Sequence, residues 1–561
     1  MSKISVPVPD PSAARVAGLA VLVSLFSLFY YTQQSDILLY GDAVAHINIA
    51  RRVFDSQTPG LLQLGTVWLP LPHVLMIPFI LSDKMWQNGT GGAIPSMIAY
   101  VLGVMGIFRL VRGLLESNPR TKPAADVGEW SAALAYGANP NLIYMQATAM
   151  TESVYLAMFI WAVVYFTEFV RSLRDNDNED AERSPALAPL NSTSLRRCCW
   201  CLAGAELSRY DGWFLAGVMG VAAIVILVHR WRNHAVNHRA LLPVTAKFLL
   251  GIAAVPTLWL AYNAVVYKNP LEFANGPYSA KAIEQRVGAP NPALHNAPVA
   301  AIYFLKSAQL NMAEGNWGRF WLAAAILALL IAAWMRARSA LLLLLWVPLP
   351  FYALSIAYGS VPLHVHTWWP FATFNQRYGL QLLPMFAVSA GVLAAATFRL
   401  SATGRHAGKL VAVMLALIVV SDASLWKAEP LCLQEARRNW EIRHTLNSTV
   451  QRIVERLPRN STFLMDLGEH VGVMEQAGIP LRQVVNNENH RPWKRPTDPE
   501  GLWERALADP ARYVDFVIAF DGDPVDQGAN KANLDVVAEI HATGQPRARI
   551  YAARTAANQS R

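Results

Sequence analysis

ARVAGLAVLVSLFSLFYYTQQSDILLYGDAVAHINIARR, residues 14–52, passes from an apolar run directly into a polar segment that opens with Asp42. Residues 14–31 are long enough, at 1.5 Å per residue, to cross most of a hydrocarbon core of ~30 Å. They lack a small-residue cleavage site, so the run reads as a signal anchor rather than a removed leader. A titratable residue placed so soon after a membrane exit stands at the interface, where polar chemistry and lipid meet.

Runs of this kind recur down the chain. About eleven spanning helices are expected, near 14–32, 93–113, 128–143, 151–170, 199–214, 213–229, 248–266, 319–335, 340–358, 379–398 and 410–426. The composition agrees: of 561 residues, 53% are hydrophobic and 16% charged, and the mean hydropathy is +0.24. A soluble domain has about 25% charged residues. The net charge of +9 sits mostly in short loops and is no nucleic-acid signal. With the N-terminus inside, the inner loops 109–128, 171–197, 229–247, 336–339 and 399–409 hold 18 Lys and Arg in 81 residues. The outer loops 32–90, 141–151, 267–317 and 359–377 hold 8 in 140, as the positive-inside rule requires. Cys198, Cys199, Cys201 and Cys432 suggest no disulfide framework.

After Trp426 the chain becomes charged, with short β-rich runs at 462–465, 483–485, 514–520 and 547–552 separated by helix-like stretches. The fold class expected is mainly α: a polytopic membrane domain over residues 1–426, with a first outer loop 32–90. A small soluble α/β domain over 427–561 lies on the outer side. No sustained internal repeat is visible, which counts against an inverted-repeat transporter.

The residues with most chemistry lie in GDAVAHINIARRVFDSQTPGLLQLGTVWLPLPHVLMIP, residues 41–78. If 42–54 is helical, Asp42 and His46 share a face at i, i+4. A carboxylate and an imidazole there can act as general base or hold a metal. The plainer reading makes Asp42 a helix cap. The Arg51-Arg52 pair and the prolyl segment that follow favour the functional one.

In order and sidedness these features resemble the GT-C superfamily of membrane glycosyltransferases, such as the protein O-mannosyltransferases (glycosyltransferase family 39) and the lipid A aminoarabinose transferases. The matching positions are Asp42 after the first span, Ala50-Arg51 on a juxtamembrane helix, and Pro70-Leu71-Pro72-His73. Asn139-Pro140 with Met150-Thr151-Glu152, and Arg377-Tyr378, follow in turn. The resemblance spans residues 14–400. It implies a GT-C-like fold and transfer of a sugar, of hexosyl or mannosyl type, from a polyprenyl-phosphate carrier on the outer face, with inversion. Asp42 would be the base and Glu152 a second acid. The acceptor is a protein, lipid or glycan. The setting is a bilayer, the plasma (inner) membrane, with the active site and C-terminal domain on the periplasmic side.

Cations must then stabilise the leaving phosphate. Arg209, in Ser208-Arg209-Tyr210-Asp211, and Arg377 are the candidates. Arg209 has Asp211 and Glu206 as alternative partners, whereas Arg377 has fewer acidic neighbours in sequence. Arg51, Arg52, His73, Tyr210, Tyr378 and Lys281 complete the substrate-binding set, although Lys281 also reads as an ordinary loop lysine. His46, His364 and His366 are candidate ligands of a divalent metal, but no two-acid motif stands in the first outer loop. In the tail, Asp466, Glu469 and His470 read equally well as a strand-end turn. A transporter or flippase of lipid-linked sugars is the rival reading, and would place its polar groups near the membrane midplane. A third reading, an inactive scaffold, is disfavoured by the presence of the first-loop acid.

Overall fold

The computed structural model describes residues 10–115, 121–179, 192–233, 238–276, 278–287, 290–334, 339–359, 361–401, 407–468, 470–489 and 501–554. Helix α1 (Pro11–Gln33) opens on Asp10, whose side chain accepts the Ser12 amide, and presents a largely exposed apolar surface. The first long loop follows. It contains α2 (Gly41–Arg52) and the short α3 (Leu71–Met76). The remaining helices that position the site are α4 (Thr90–Leu115), α5 (Lys122–Gly137), α6 (Pro140–Gln146), α7 (Glu152–Glu179), α8 (Ser192–Glu206), α9 (Asp211–Arg232) and α10 (His238–Val266). They are followed by α11 (Ala297–Met312), α12 (Trp317–Trp334), α13 (Pro348–Tyr358), α14 (Leu383–Ser401), α15 (Ala407–Ala428) and α16 (Leu431–Val454).

Among the described residues eight helical segments are long and apolar enough to cross a membrane, and nine if α11 and α12, bent by 104°, count as one. The difference from eleven lies in two expected spans. The segments near 128–143 and 199–214 fold as α5 and α8, of 16 and 15 residues. They are short for a bilayer but required by connectivity. Glu152, at the N-terminal start of α7, bonds both Arg377 and Arg209, and Asp211, at the start of α9, pairs with Arg209, so the two helix starts lie at one end of the bundle. The chain must therefore return between α4 and α7 and between α7 and α9, and α5 and α8 are those return legs. Helix α11 lies where the sequence suggested only a polar outer loop.

The span 376–400 is the centre of the bundle, 94% buried over its apolar window. It crosses α5 where two glycines meet: a Cβ on Gly128 would stand 2.8 Å from the Gly391 carbonyl oxygen. Small residues at such crossings let helix backbones approach. Cys198, Cys199, Cys201 and Cys432 are free thiols.

The C-terminal part forms a mixed sheet, β1 (Phe463–Met465), β2 (Val484–Val485), β3 (Phe516–Phe520), β4 (Leu534–Ile540) and β5 (Ala548–Ala553), in the order β2-β1-β3-β5-β4. β1 pairs in parallel with β2 and β3, while β5 runs antiparallel to β3 and β4. Four of these strands coincide with the β-rich runs in the sequence. β4 is a largely exposed edge strand, LDVVAEI, whose pattern gives no clear alternation. His470 stacks on Phe520 at 3.6 Å and its Nδ1 meets Asn447 Oδ1 at 2.9 Å, so it braces the sheet against α16. Burial pushes its pKa down to about 4. Asp466 accepts the Gly468 amide; Glu469 lies outside the described residues.

Candidate functional site

The site gathers where five chain segments reach one end of the bundle. Its centre is Arg377, at the opening of a 3-10 turn, Gln376–Leu382, that leads into α14. Asn375 enters this turn at φ 55°, a left-handed conformation that Asn tolerates well. The turn is held from behind. Ser307 Oγ and Asn311 Nδ2 both donate to the Gln376 carbonyl, at 2.6 and 2.8 Å. Asn139 and Asn141 donate to the Asn311 carbonyl. At Gly379 a side chain is excluded, since a Cβ would fall 2.5 Å from the Ser307 carbonyl carbon.

So fixed, the Arg377 guanidinium reaches three carboxylates. Its Nη2 donates to Asp42 Oδ2, its Nε to Glu152 Oε1 at 3.1 Å, and its Nη1 to Glu435 Oε1 at 3.2 Å. The ring of Tyr40 lies 5.0 Å from its guanidinium carbon and that of Tyr378 5.2 Å. Arg209 approaches from the start of α9. It bonds Glu152 Oε1 and Thr151 Oγ1, both at 3.4 Å, pairs with Asp211 at 3.3 Å, and donates to Tyr352 Oη at 2.9 Å. Tyr352 in turn donates to Asp211 Oδ2 at 3.2 Å. Tyr378 lies between the two cations, 5.1 Å from Arg209.

Two arginines are thus surrounded by four carboxylates. Glu152, Asp211 and Glu435 are sealed, with side-chain exposures of 1%, 2% and 6%, whereas Asp42 is 40% exposed. Asp42 does not cap its helix. α2 begins at Gly41, Tyr40 occupies the cap position, and no side-chain cap bond forms. The one carboxylate open to solvent is therefore the one the sequence marked as a base.

The structure brings Asp42, Glu152, Arg209, Arg377 and Tyr378 together. Tyr210 stands alongside, its hydroxyl donating to Val67 O at 3.1 Å and its ring stacked on Phe273 at 4.8 Å. Glu206 is not the partner of Arg209; Asp211 and Glu152 are. Arg377, poor in acidic neighbours along the sequence, has three in space. Glu435 went unread because it lies in the tail, outside the stretch that carries the resemblance.

The other candidates stand apart from the cluster. Arg51 is a brace: it bonds Asp55 at 2.8 Å, Ile80 O at 2.7 Å and Asp83 at 2.5 Å, and its guanidinium packs on Phe54 and Trp86. Arg52 reaches Glu488 at 3.7 Å. His46 Nδ1 and His73 Nε2 lie 2.9 Å apart, with His46 against Trp68. Burial holds both imidazoles neutral, with His46 pushed down to about 3 and His73 well below its ordinary value. Lys281 is exposed on the short helix Ala280–Val287. His364 pairs through its backbone with Phe374, and His366 Nδ1 lies 3.2 Å from Gln376 Oε1. Among the described residues no three His, Cys, Asp or Glu side chains converge as a metal ion needs. Among the described residues His46, His364 and His366 form no ligand set.

The multi-pass helical bundle, with a helical first loop, an arginine–carboxylate cluster at one end and a C-terminal α/β part, is the GT-C-like fold expected from the sequence. Among solved structures the chain superposes on ArnT from Cupriavidus metallidurans bound to undecaprenyl phosphate. The TM-score is 0.52 at 14% identity, over 95% of this chain and 97% of that one. A weaker likeness is to the archaeal oligosaccharyltransferase AglB from Archaeoglobus fulgidus in complex with an inhibitory peptide and a dolichol-phosphate. There the TM-score is 0.48 at 11% identity, over 91% and 69% of the two chains. No family model and no curated protein sequence matches this chain.

Proposed function

We propose that the protein transfers a sugar from a polyprenyl-phosphate carrier to an acceptor at the extracytoplasmic face of the plasma membrane. The observation that carries this reading is the exposed Asp42 carboxylate in contact with a buried arginine, at one end of a GT-C-like bundle. The undecaprenyl phosphate bound to the structural neighbour ArnT supports the carrier class.

In this reading Asp42 accepts the proton of the acceptor hydroxyl or amine as that atom attacks the anomeric carbon. The bond from that carbon to the phosphate oxygen breaks on the opposite face, so the configuration inverts. The electron pair leaves with the lipid phosphate, and Arg377 and Arg209 stabilise its charge. Positioned base catalysis contributes about 10²–10⁴-fold, and each fixed cation adds to this in a water-poor site. Glu152 orients both guanidinia. Residues 427–561 form a soluble unit that covers the site and contributes Glu435 to it. A hexosyl donor of mannosyl type is the specific expectation.

The test is release of labelled sugar from polyprenyl-phosphate donors by the reconstituted protein, compared with Asp42→Asn. Turnover by wild type that falls at least 100-fold in a folded Asp42→Asn variant supports the enzyme and its base. Movement of the intact lipid-linked sugar across the bilayer without its cleavage would establish the flippase instead.

A further inference from the structure

Both site arginines are already engaged by carboxylates, which raises the question of where a phosphate would bind. We infer that the carrier phosphate takes the place on Arg377 that the Asp42 carboxylate holds in the resting site, with Arg443 as its second ligand. Donor binding then frees the base. This inference rests on the proposed transfer reaction.

Three observations support it. First, Arg377 presents three donors to three acids, and only one of those acids can leave. Glu152 and Glu435 are sealed at 1% and 6% exposure, and Glu435 is also tied by the Gln376 amide at 2.7 Å. Asp42 is 40% exposed, and among the described residues Arg377 is its side-chain hydrogen-bond partner. A bidentate anion arriving from solvent or the interface meets Asp42 first.

Second, a further cation lies against the start of the helix that carries Asp42. Arg443 of α16 closes over the start of α2, where the absence of a side chain on Gly41 makes room. A Cβ there would be 3.1 Å from the Arg443 guanidinium carbon. Its Nη2 donates to Leu39 O and Asn439 Oδ1, each at 3.0 Å, and its Nε to Asn439 O at 3.1 Å. All of these are uncharged acceptors. Among the described residues Arg443 makes no ion pair, yet it lies within electrostatic reach of Asp42. A half-buried guanidinium without a counter-charge, beside a displaceable carboxylate, is a phosphate ligand in waiting.

Third, the exchange suits the chemistry. A carboxylate held by arginine is a poor proton acceptor, and a donor phosphate without its cations is a poor leaving group. Swapping partners remedies both at once. In the empty site Asp42 neutralises Arg377; in the loaded site the phosphate does, and Asp42 turns toward the acceptor. No turnover begins without a donor in place.

The experiment is equilibrium binding of undecaprenyl monophosphate to the full chain in lipid nanodiscs, for wild type, Asp42→Asn, Asp42→Ser and Arg443→Gln. A base that stands apart from the phosphate has no effect on this equilibrium when neutralised. The inference instead expects Asp42→Asn to bind at least tenfold tighter, about 1.4 kcal/mol. Asp42→Ser should follow it, and Arg443→Gln should bind at least fivefold weaker. Wild-type binding that is unchanged or weakened in both Asp42 variants overturns the inference and leaves the transfer reading standing. Absence of carrier binding in wild type and in both Asp42 variants overturns the two together. The pair of Asp42 substitutions guards against misfolding of either one, and thermal melting identifies the variant to be read.

Discussion

Replacing Arg377 with methionine removes the positive centre of the site and leaves three carboxylates facing its place. Glu152 and Glu435, 3.1 and 3.2 Å from the guanidinium nitrogens, are both nearly sealed from water. Breaking a buried ion pair by deleting one partner destabilises by about 3–5 kcal/mol, because the other charge is stranded. Asp42 adds little, since solvent reaches it. The expected loss is therefore about 4 kcal/mol, which at roughly 2 °C per kcal/mol for a large chain lowers the melting temperature by about 8 °C. The sign of a second substitution tests the cause. Glu435→Gln in the Arg377→Met background removes one stranded charge, while its amide oxygen can still accept the Gln376 N–H that Glu435 now accepts at 2.7 Å. About half the loss should return. In an otherwise wild-type protein the same Glu435→Gln change should destabilise, since there it removes a partner of Arg377. Fluorescence-detected melting of detergent-solubilised protein reads all three variants. A melting point for Arg377→Met within about 1 °C of wild type, or a further drop on adding Glu435→Gln, would refute the charge accounting.

Glu475 links the first loop to the C-terminal part: its Oε2 accepts from Asn48 Nδ2 at 2.7 Å, and burial pushes its pKa up to about 8 from an ordinary 4.5. The folded state holds a proton that the unfolded state has released between those values, so stability is greatest below pH 4.5 and falls as pH rises toward 8. Glu475→Gln should flatten that slope in a series of melts across pH 5–8. Arg51→Lys, which cannot span Asp55, Ile80 O and Asp83 together, should lose about 2 kcal/mol and raise hydrogen exchange around residues 80–83. Gly379→Ala, which drives a methyl group against the Ser307 backbone, should destabilise by about 2–3 kcal/mol and lower carrier binding by displacing Arg377. His46 and His73 are neutral throughout the physiological range, so kcat/KM should show no inflection near pH 6.5 that His73→Asn abolishes.

Much of this was legible in the sequence, for identifiable reasons. Apolar length announces a span because hydrocarbon satisfies no backbone polar group, so each crossing must be a long apolar helix. The two short return helices were the least regular signals, since helices packed inside a bundle need not be apolar over a full bilayer width. The bend between α11 and α12 was missed because Lys306, Gln309 and Asn311 make α11 look like loop. Those residues face the interior, and Asn311 supports the Arg377 turn. Asp42, Glu152, Arg209 and Arg377 were legible because each stands at or shortly beyond the end of a span, where a charge is conspicuous. Their pairing was not, since Arg377 and Asp42 are 335 residues apart. Arg51 was read as a ligand from its place beside a motif. Its i, i+4 carboxylate, Asp55, was the signal for a brace.

The balance of charge in the cluster constrains any mechanism. Four carboxylates against two arginines leave no standing attraction for an anion, so a phosphate can be held only if a carboxylate yields or a cation is added. The fold supplies both remedies from one direction. Asp42, at the solvent edge, is free to yield. Arg443 and Glu435 sit on α16, which enters the sheet-bearing part of the chain, and Glu435 fixes the Arg377 turn through the Gln376 amide. The loop, the turn and α16 are therefore mechanically one unit. A change that loosens the C-terminal part against α2 should alter Arg377 geometry before it unfolds anything else. Glu475→Arg, which forces a larger, permanently charged side chain into the buried place of a neutral acid, is the direct probe. It should raise the KM for the donor while the transmembrane bundle still melts as one transition. A KM unchanged in a folded Glu475→Arg protein would mean that α16 holds its site residues independently of the sheet.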